Sequence, residues 1–349
     1  MRPAEAAEVG TLIFEQAEQR PLTDDVRNRI AARAAVLRLE SLTPRLLSLA
    51  RDPIHPSSYY FAADAGGQPM LLHVAQAAAP TSSVFPKPLL IGRMRHANGP
   101  EMIINAMPFG PGDRRNIEKF AGCVDTAFLP RPQGSRPAIA VERDLPDAFE
   151  MFRAIWKKTG RNLAAVRATA GGYYAAVWAA IRSGWREGYS AGVEMVITRE
   201  SVDGAKETIR SAPGFARFAL DISELGESGL EIAGQMHEFI RQTRSARKMG
   251  RSFDFEICLG DVGVQRAGEA LEWLKSRDHA AQLLAARRDQ LEELAEATRP
   301  HQCGLSVSGS PENTPEMLQA VNRATLGRFL YKWPGPLSEL PAIAEHLLA

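Results

Sequence analysis

The sequence predicts an α/β protein: a (β/α)8 TIM barrel over residues 101–349, preceded over residues 1–100 by an N-terminal helical and β-hairpin extension. Three observations predict it. From residue 101 short apolar runs alternate with amphipathic stretches, the pattern of parallel βαβ crossovers. Eight such units fit into about 250 residues, the count and length that close a barrel. No glycine-rich phosphate turn follows the first of these strands, as a doubly wound open sheet would usually require.

In the extension, residues 5–19 and 24–50 read as helices. Thr23 is placed as N-cap of the second, with Asp24 and Asp25 in its first turn to complement the helix dipole. Residues 59–63 and 69–75 read as the arms of a hairpin whose turn uses Gly66 and Gly67, and Tyr59, Tyr60 and Phe61 are expected in a core. The Ala/Pro/Ser-rich stretch 77–88 reads as a loop and 89–94 as a short strand. Barrel strands are predicted at 102–107, 124–129, 163–168, 192–197, 215–222, 253–259, 304–308 and 326–331. Helices are predicted at 114–121, 147–158, 173–187, 202–211, 229–249, 264–274, 280–297, 315–322 and 337–348.

Composition excludes several classes. The 349 residues carry 42 basic and 41 acidic side chains, a net charge of +1, so no basic stripe for nucleic acid or an anionic membrane is expected. Three cysteines without regular spacing rule out a disulfide framework and a cysteine-only zinc knuckle. The acidic N-terminus does not read as a signal peptide, and no apolar run is long enough to span a membrane, so a cytoplasmic location is expected. Composition leaves a homo-oligomer open.

In a barrel the chemistry lies at the C-terminal ends of the strands. On the predicted boundaries this selects Asn105 after the first strand, and Arg131, Gln133 and Arg136 after the second. It also selects Arg167 on the third, Glu194 on the fourth, Asp221 on the fifth, Glu256 on the sixth, Ser308 on the seventh and Lys332 on the eighth. The run Phe253-Asp-Phe-Glu-Ile alternates, so Asp254 and Glu256 share the lumenal face. A buried carboxylate needs a cation, a metal or a proton. Glu256 therefore reads either as a structural ion pair with Arg167 or Lys332, or as a base or ligand. Arg131 and Arg136 flank a glycine-permitted turn suited to a carboxylate or phosphate, or else pair with surface acids. No histidine is placed at the catalytic end, which argues against a zinc hydrolase and leaves open a carboxylate site for a hard cation, Mn²⁺ or Mg²⁺, with Asp221 and Glu256 as the natural pair and Glu194 as a third candidate.

The run from Trp178 to Ala191, continuing through Ser201-Val-Asp203 to Gly214-Phe-Ala-Arg-Phe-Ala-Leu-Asp221, resembles the tagaturonate/fructuronate epimerase family, as do Phe255-Glu256-Ile257 and residues 305–310. The resemblance covers the second half of the chain. It implies a metal-dependent barrel that inverts a carbon of a ketohexuronate, with Asp221 and Glu256 on acidic positions of the family and Glu194 where the family has an aspartate. It also breaks. Met195 and Ile197 stand where the family has a histidine and a lysine, and residues 306–308 lack a further histidine. Methionine cannot replace histidine as a ligand for a hard cation or as a base. Three functions follow as expectations. The first is an isomerase or epimerase of a small keto-sugar acid, with Glu256 as base or ligand and Lys332 stabilising an enolate. The second is a non-catalytic sugar-acid-binding relative. The third is an aldolase or lyase using Lys332 as a Schiff-base amine.

Overall fold

The computed structural model describes residues 2–17, 20–77, 85, 88–95, 99, 101–134, 136–250, 252–260, 263–275, 280–286, 288–301, 303–309 and 314–342. Two compact units divide the chain: Met1–Leu129 with Val177–Arg186, and Pro130–Ala176 with Glu187–Ala349.

The first unit opens with α1 (Pro3–Ala17) and α2 (Asp24–Ala34). Thr23 caps α2 as its sequence predicts, its side chain accepting from the Val26 N–H at 3.4 Å. The helix ends sixteen residues short of the predicted position 50, because residues from Leu42 form a strand instead. Pro44 could not sit inside a helix without breaking its hydrogen bonds. Strands β1 (Leu42–Arg51), β2 (Ser58–Ala65), β3 (Gln68–Gln76), β4 (Leu89–Met94) and β5 (Met102–Pro108) form an antiparallel sheet in the order β1-β2-β3-β5-β4. Val9, Ile13 and Phe14 of α1 pack with Tyr59, Phe61, Leu72, Val74 and Ile104 of the sheet in one buried cluster. Helix α3 (Arg114–Lys119) follows and continues into a π-helical turn, Phe120–Val124.

The second unit is a closed barrel of eight parallel strands in the order β6 to β13, with β13 paired back to β6. Its strands are β6 (Ala138–Val141), β7 (Ala164–Ala168), β8 (Ser190–Val196), β9 (Arg217–Asp221), β10 (Phe253–Cys258), β11 (Ala280–Ala286), β12 (Gly304–Ser308) and β13 (Phe329–Lys332). The helices that follow these strands in the chain are α4 (Leu145–Thr159), α5 (Tyr173–Ser183), α6 (Val202–Ser211), α7 (Gly229–Ala246), α8 (Gly263–Lys275), α9 (Leu291–Thr298) and α10 (Thr314–Thr325), of which α5 belongs to the first unit from Val177 onwards. The predicted fold class is therefore the observed one, but two of its eight strands were assigned to the wrong segments. Residues 102–107 pair antiparallel in the five-stranded sheet, and residues 124–129 are helical turns. The barrel instead begins at Ala138, beyond the expected boundary at residue 101, and its sixth strand is β11, where a helix over 280–297 was predicted. Alanine-rich Ala280–Ala286 has helical propensity, and pairing with β10 and β12 overrides it. Of the predicted helix 337–348, residues beyond 342 lie outside the described residues. Among the described residues no helix is long and apolar enough to cross a membrane.

The β2–β3 turn takes Gly66 at φ 58° and Gly67 at φ 80°, and a Cβ at either would meet nothing within 4 Å. The cost of a side chain there is purely conformational. We expect Gly67→Ala to lower the free energy of unfolding in denaturant titration by about 1–2 kcal/mol, with the circular dichroism spectrum unchanged.

Candidate active site

Residues alternate along each barrel strand between the lumen and the helical ring. On β9, Arg217, Ala219 and Asp221 share one parity, and Phe218 and Leu220 the other. Glu194 of β8 and Glu256 of β10 are both in register with Ala219, so two carboxylates stand at one height on either side of a small residue. From the facing wall, Lys332 at the end of β13 places its Nζ 3.0 Å from Glu194 Oε1 and 2.8 Å from Glu256 Oε1. Its long stem lies between small register neighbours, Ala140 and Ser308. Arg217, fully buried, donates through Nη1 to Glu256 Oε2, and its Nη2 lies 3.6 Å from Glu194 Oε1. Arg167 completes the group with a two-pronged contact to Glu194, Nε to Oε1 at 3.1 Å and Nη2 to Oε2 at 3.0 Å. Its Nη1 lies 3.7 Å from the exposed Glu142.

Room for the buried guanidinium comes from Gly192. A Cβ there would stand 2.4 Å from Arg217 Nε. The sequence alternation around Arg217 was readable, yet this residue was not among the predicted site residues. Its parity with Asp221 was the available signal.

Three cations thus surround two glutamates, and the electrostatics follow. Burial alone would raise the Glu256 carboxyl, but Lys332 and Arg217 outweigh it and hold the group down at about 2. Glu194 is lowered by the same contest: burial opposes ionisation, Lys332 and Arg217 favour it, Glu256 works against it and Arg167 favours it. Glu256 is 1% exposed and enclosed, whereas Glu194 is 30% exposed. Only Glu194 of the pair can meet a solute without displacing its partners.

Beside this group opens a cavity of about 460 Å³ at the C-terminal ends of β6, β7 and β13, a size typical of small-ligand sites. Glu142, Arg143, Asp144, Arg167, Trp333 and Pro334 line it. Asp144 has φ 49°, ψ 46°, a left-handed conformation costly for a residue with a Cβ, at the N-cap of α4. Such strain concentrates at functional sites. The Trp333 indole Nε1, in a residue only 7% exposed, has no hydrogen-bond partner among the described residues.

Glu194, Glu256, Lys332 and Arg167 are therefore brought together, and Ser308 ends the strand next to Lys332. The other predicted residues are not part of this group. Asp221 accepts from the Ser223 N–H at 3.1 Å, at the turn that follows β9. Asn105 sits on β5 in the antiparallel sheet, its amide 3.1 Å from His73 Nδ1. Arg131, Gln133 and Arg136 precede β6 and lie at the opposite, N-terminal end of the barrel, where the Gln133 and Gly134 N–H groups donate to Asp254 at 2.7 and 3.1 Å. They were displaced because the strand assigned before them is not a strand.

The donor set does not fit a resident divalent metal. Among the described residues no group of three His, Cys, Asp or Glu side chains is arranged to hold one. Two of the three expected ligands already have cation partners, and a metal would add charge to a cluster holding three cations.

No known family profile matches the sequence, and no curated protein does. Among solved structures, the native crystal structure of the fructuronate-tagaturonate epimerase UxaE from Cohnella laeviribosi superposes with a TM-score of 0.55 and 15% identity, covering 88% of this chain and 74% of that one. The glycerol complex of the same enzyme gives 0.54 and 14% over the same shares. What the two proteins share is the fold. The likeness spans most of this chain, beyond the second half that carries the sequence resemblance.

Removing Arg217 would leave Glu256 buried with one cation fewer. Arg217→Met is expected to destabilise the barrel by about 3–5 kcal/mol, read by chemical denaturation. Asp254 gives a pH-dependent test. Burial pushes its carboxyl up to about 7, only partly offset by the Gln133 and Gly134 N–H groups. A raised carboxyl contributes stability that is present below its ordinary value of 3.8 and is lost as pH rises towards 7. The stability of Asp254→Asn relative to the natural protein should therefore climb between about pH 4 and pH 7 and level off above. A flat difference across that window would contradict the assignment.

Proposed function

We propose that the barrel interconverts small anionic keto-sugar acids, as an isomerase or epimerase, by proton transfer between its own side chains and a carbon next to the keto group. The observation that carries this reading is Lys332, held between Glu194 and Glu256 at the catalytic end beside an arginine-lined cavity. The fold shared with a sugar-acid epimerase supports the substrate class.

In this reading the substrate carboxylate enters the cavity and pairs with Arg167 and Arg143. Glu194 removes the proton from the carbon beside the ketone, and the carbon's electron pair moves onto the keto oxygen. The Lys332 ammonium stabilises the resulting enolate. A proton delivered from water in the open cavity to the other face of that carbon gives the epimer, and Glu194 releases the proton it took to solvent. Isomerisation instead protonates the former carbonyl carbon, while the hydroxyl on the first carbon passes its proton to the former keto oxygen and becomes the new carbonyl. A carboxylate lowered by cations is a weak base. A substrate that draws Arg167 away from Glu194 strengthens that base at the moment it is needed. Glu256, pinned by Arg217, positions the ammonium and does not touch substrate, which departs from the expectation that it acts as the base.

The lyase reading is less well supported. A Schiff-base amine needs a free lone pair, and Lys332 Nζ is engaged by two carboxylates.

The test is deuterium exchange. Fructuronate or tagaturonate incubated with the protein in D₂O should gain deuterium beside the keto group, followed by NMR in the presence of a chelator. Lys332→Met and Glu194→Gln should each slow this by about 10²–10³-fold. Exchange that persists in Lys332→Met would overturn the assignment. Exchange appearing only with added Mn²⁺ would return the chemistry to a metal. A hexuronate that raises the melting temperature without exchange would make the protein a binder.

A further inference from the structure

We infer that the N-terminal face of the barrel carries a second binding site, for a small hydroxylated oxyanion, built by Arg131, Gln133, Arg136 and Ser190. It does not depend on the proposed reaction.

Residues 130–134 and 136–137 lie at that end of the barrel and are pinned in place. Besides the two N–H bonds to Asp254, the Gln133 Nε2 donates to the Arg136 carbonyl and, at 3.3 Å, to the Phe329 carbonyl. Arg136 Nε returns a bond to the Gln133 carbonyl at 3.0 Å. Gly134 takes φ 70°, the left-handed turn this fold-back requires. Next to it lies a cavity of about 120 Å³ lined by Arg131, Gln133, Arg136, Asn162, Glu187 and Ser190, among others.

Two buried polar atoms of this lining are left over. Ser190 opens β8 with the same parity as Gly192 and Glu194, and is 2% exposed; its Oγ has no partner among the described residues. Gln133 is 8% exposed, and its Oε1 is likewise without one. Buried polar groups are almost always hydrogen-bonded in native proteins, so two orphans on one cavity call for an occupant. The Asn162 amide is already spent, on the Glu187 and Gly188 carbonyls and the Ala164 N–H.

The occupant's chemistry follows from the lining. Gln133 Oε1 needs an O–H donor, Ser190 Oγ can donate to an oxygen, and two guanidinium groups against the single carboxylate of Glu187 call for negative charge. A cavity of this size holds about four waters' worth of volume. It therefore suits a short hydroxycarboxylate or hydrogenphosphate. Buried Arg217 and Asp254 occupy the lumen on the side away from Lys332, so the two sites are distinct.

Calorimetric titration with glycolate, with inorganic phosphate and with acetate at matched ionic strength tests the site. Glycolate or phosphate should bind with a millimolar Kd, and acetate, lacking the hydroxyl, several-fold more weakly; the stronger of the first two identifies the natural class. The double variant Arg131→Gln/Arg136→Gln should weaken binding at least tenfold. Ser190→Ala should weaken it several-fold while melting at or above the natural protein without ligand, because it removes an unsatisfied hydroxyl. Lys332→Met should leave binding unchanged. Absence of binding by both oxyanions, equal binding in the double variant, or loss of binding in Lys332→Met would each overturn the proposal.

Discussion

The buried guanidinium of Arg217 is the constraint on which the lumen is arranged. A fully buried cation persists only if carboxylates compensate it, and Glu256 does so directly while Glu194 does so at longer range. The consequences spread outwards. Gly192 must lack a side chain, because any Cβ would enter the guanidinium. Ala219, between the two glutamates, is small, as are Ala138, Ala140 and Ala165, which cluster with Leu330 elsewhere in the barrel. Small side chains on some strands make room for long charged ones from others, so volume and charge are solved together.

The two ends of this lumen have opposite electrostatics although they share a strand. Asp254 and Glu256 are two residues apart on β10 and face the same way. Burial drives the first carboxyl up, and the second, equally buried, is held down. Lys332 makes the difference: its ammonium reaches Glu256, whereas Asp254 is met mainly by backbone N–H groups, with Arg217 and Arg136 acting at longer range. The closed end therefore tolerates a neutral carboxyl, and the open end keeps ionised groups ready beside a cavity.

How much of this the sequence disclosed depends on whether a feature is local. Glu194, Glu256, Arg167 and Lys332 lie on strands whose period-two alternation and flanking helices are local signals, and they meet in the structure. Residues 102–107 form an equally good apolar run, but nothing local says whether such a strand pairs parallel or antiparallel. Its true partners, β3 and β4, are set by the hairpin before it. Four-residue β6 is hidden behind a proline-rich loop, and β11 behind alanine's helical preference. Two false strands and two missed ones cancelled, so the count of eight was right while every residue placed by the false strands moved. Asn105 went to another sheet, and the Arg131–Arg136 loop went to the other end of the barrel.

The fate of the expected metal site turns on competition for carboxylates. Met195 carries the parity opposite to Glu194 on β8 and is buried, so in this register it faces away from the lumen. What governs the site is instead which cations hold Glu194 and Glu256. Here Lys332, Arg217 and Arg167 engage those oxygens, so a divalent metal would have to share or displace them. Fixed side-chain cations differ from a metal in one respect that matters chemically. In the proposed reaction Lys332 donates a hydrogen bond to a developing enolate oxygen and an incoming carboxylate draws off Arg167, so that substrate binding itself redistributes the charge that sets the base strength of Glu194.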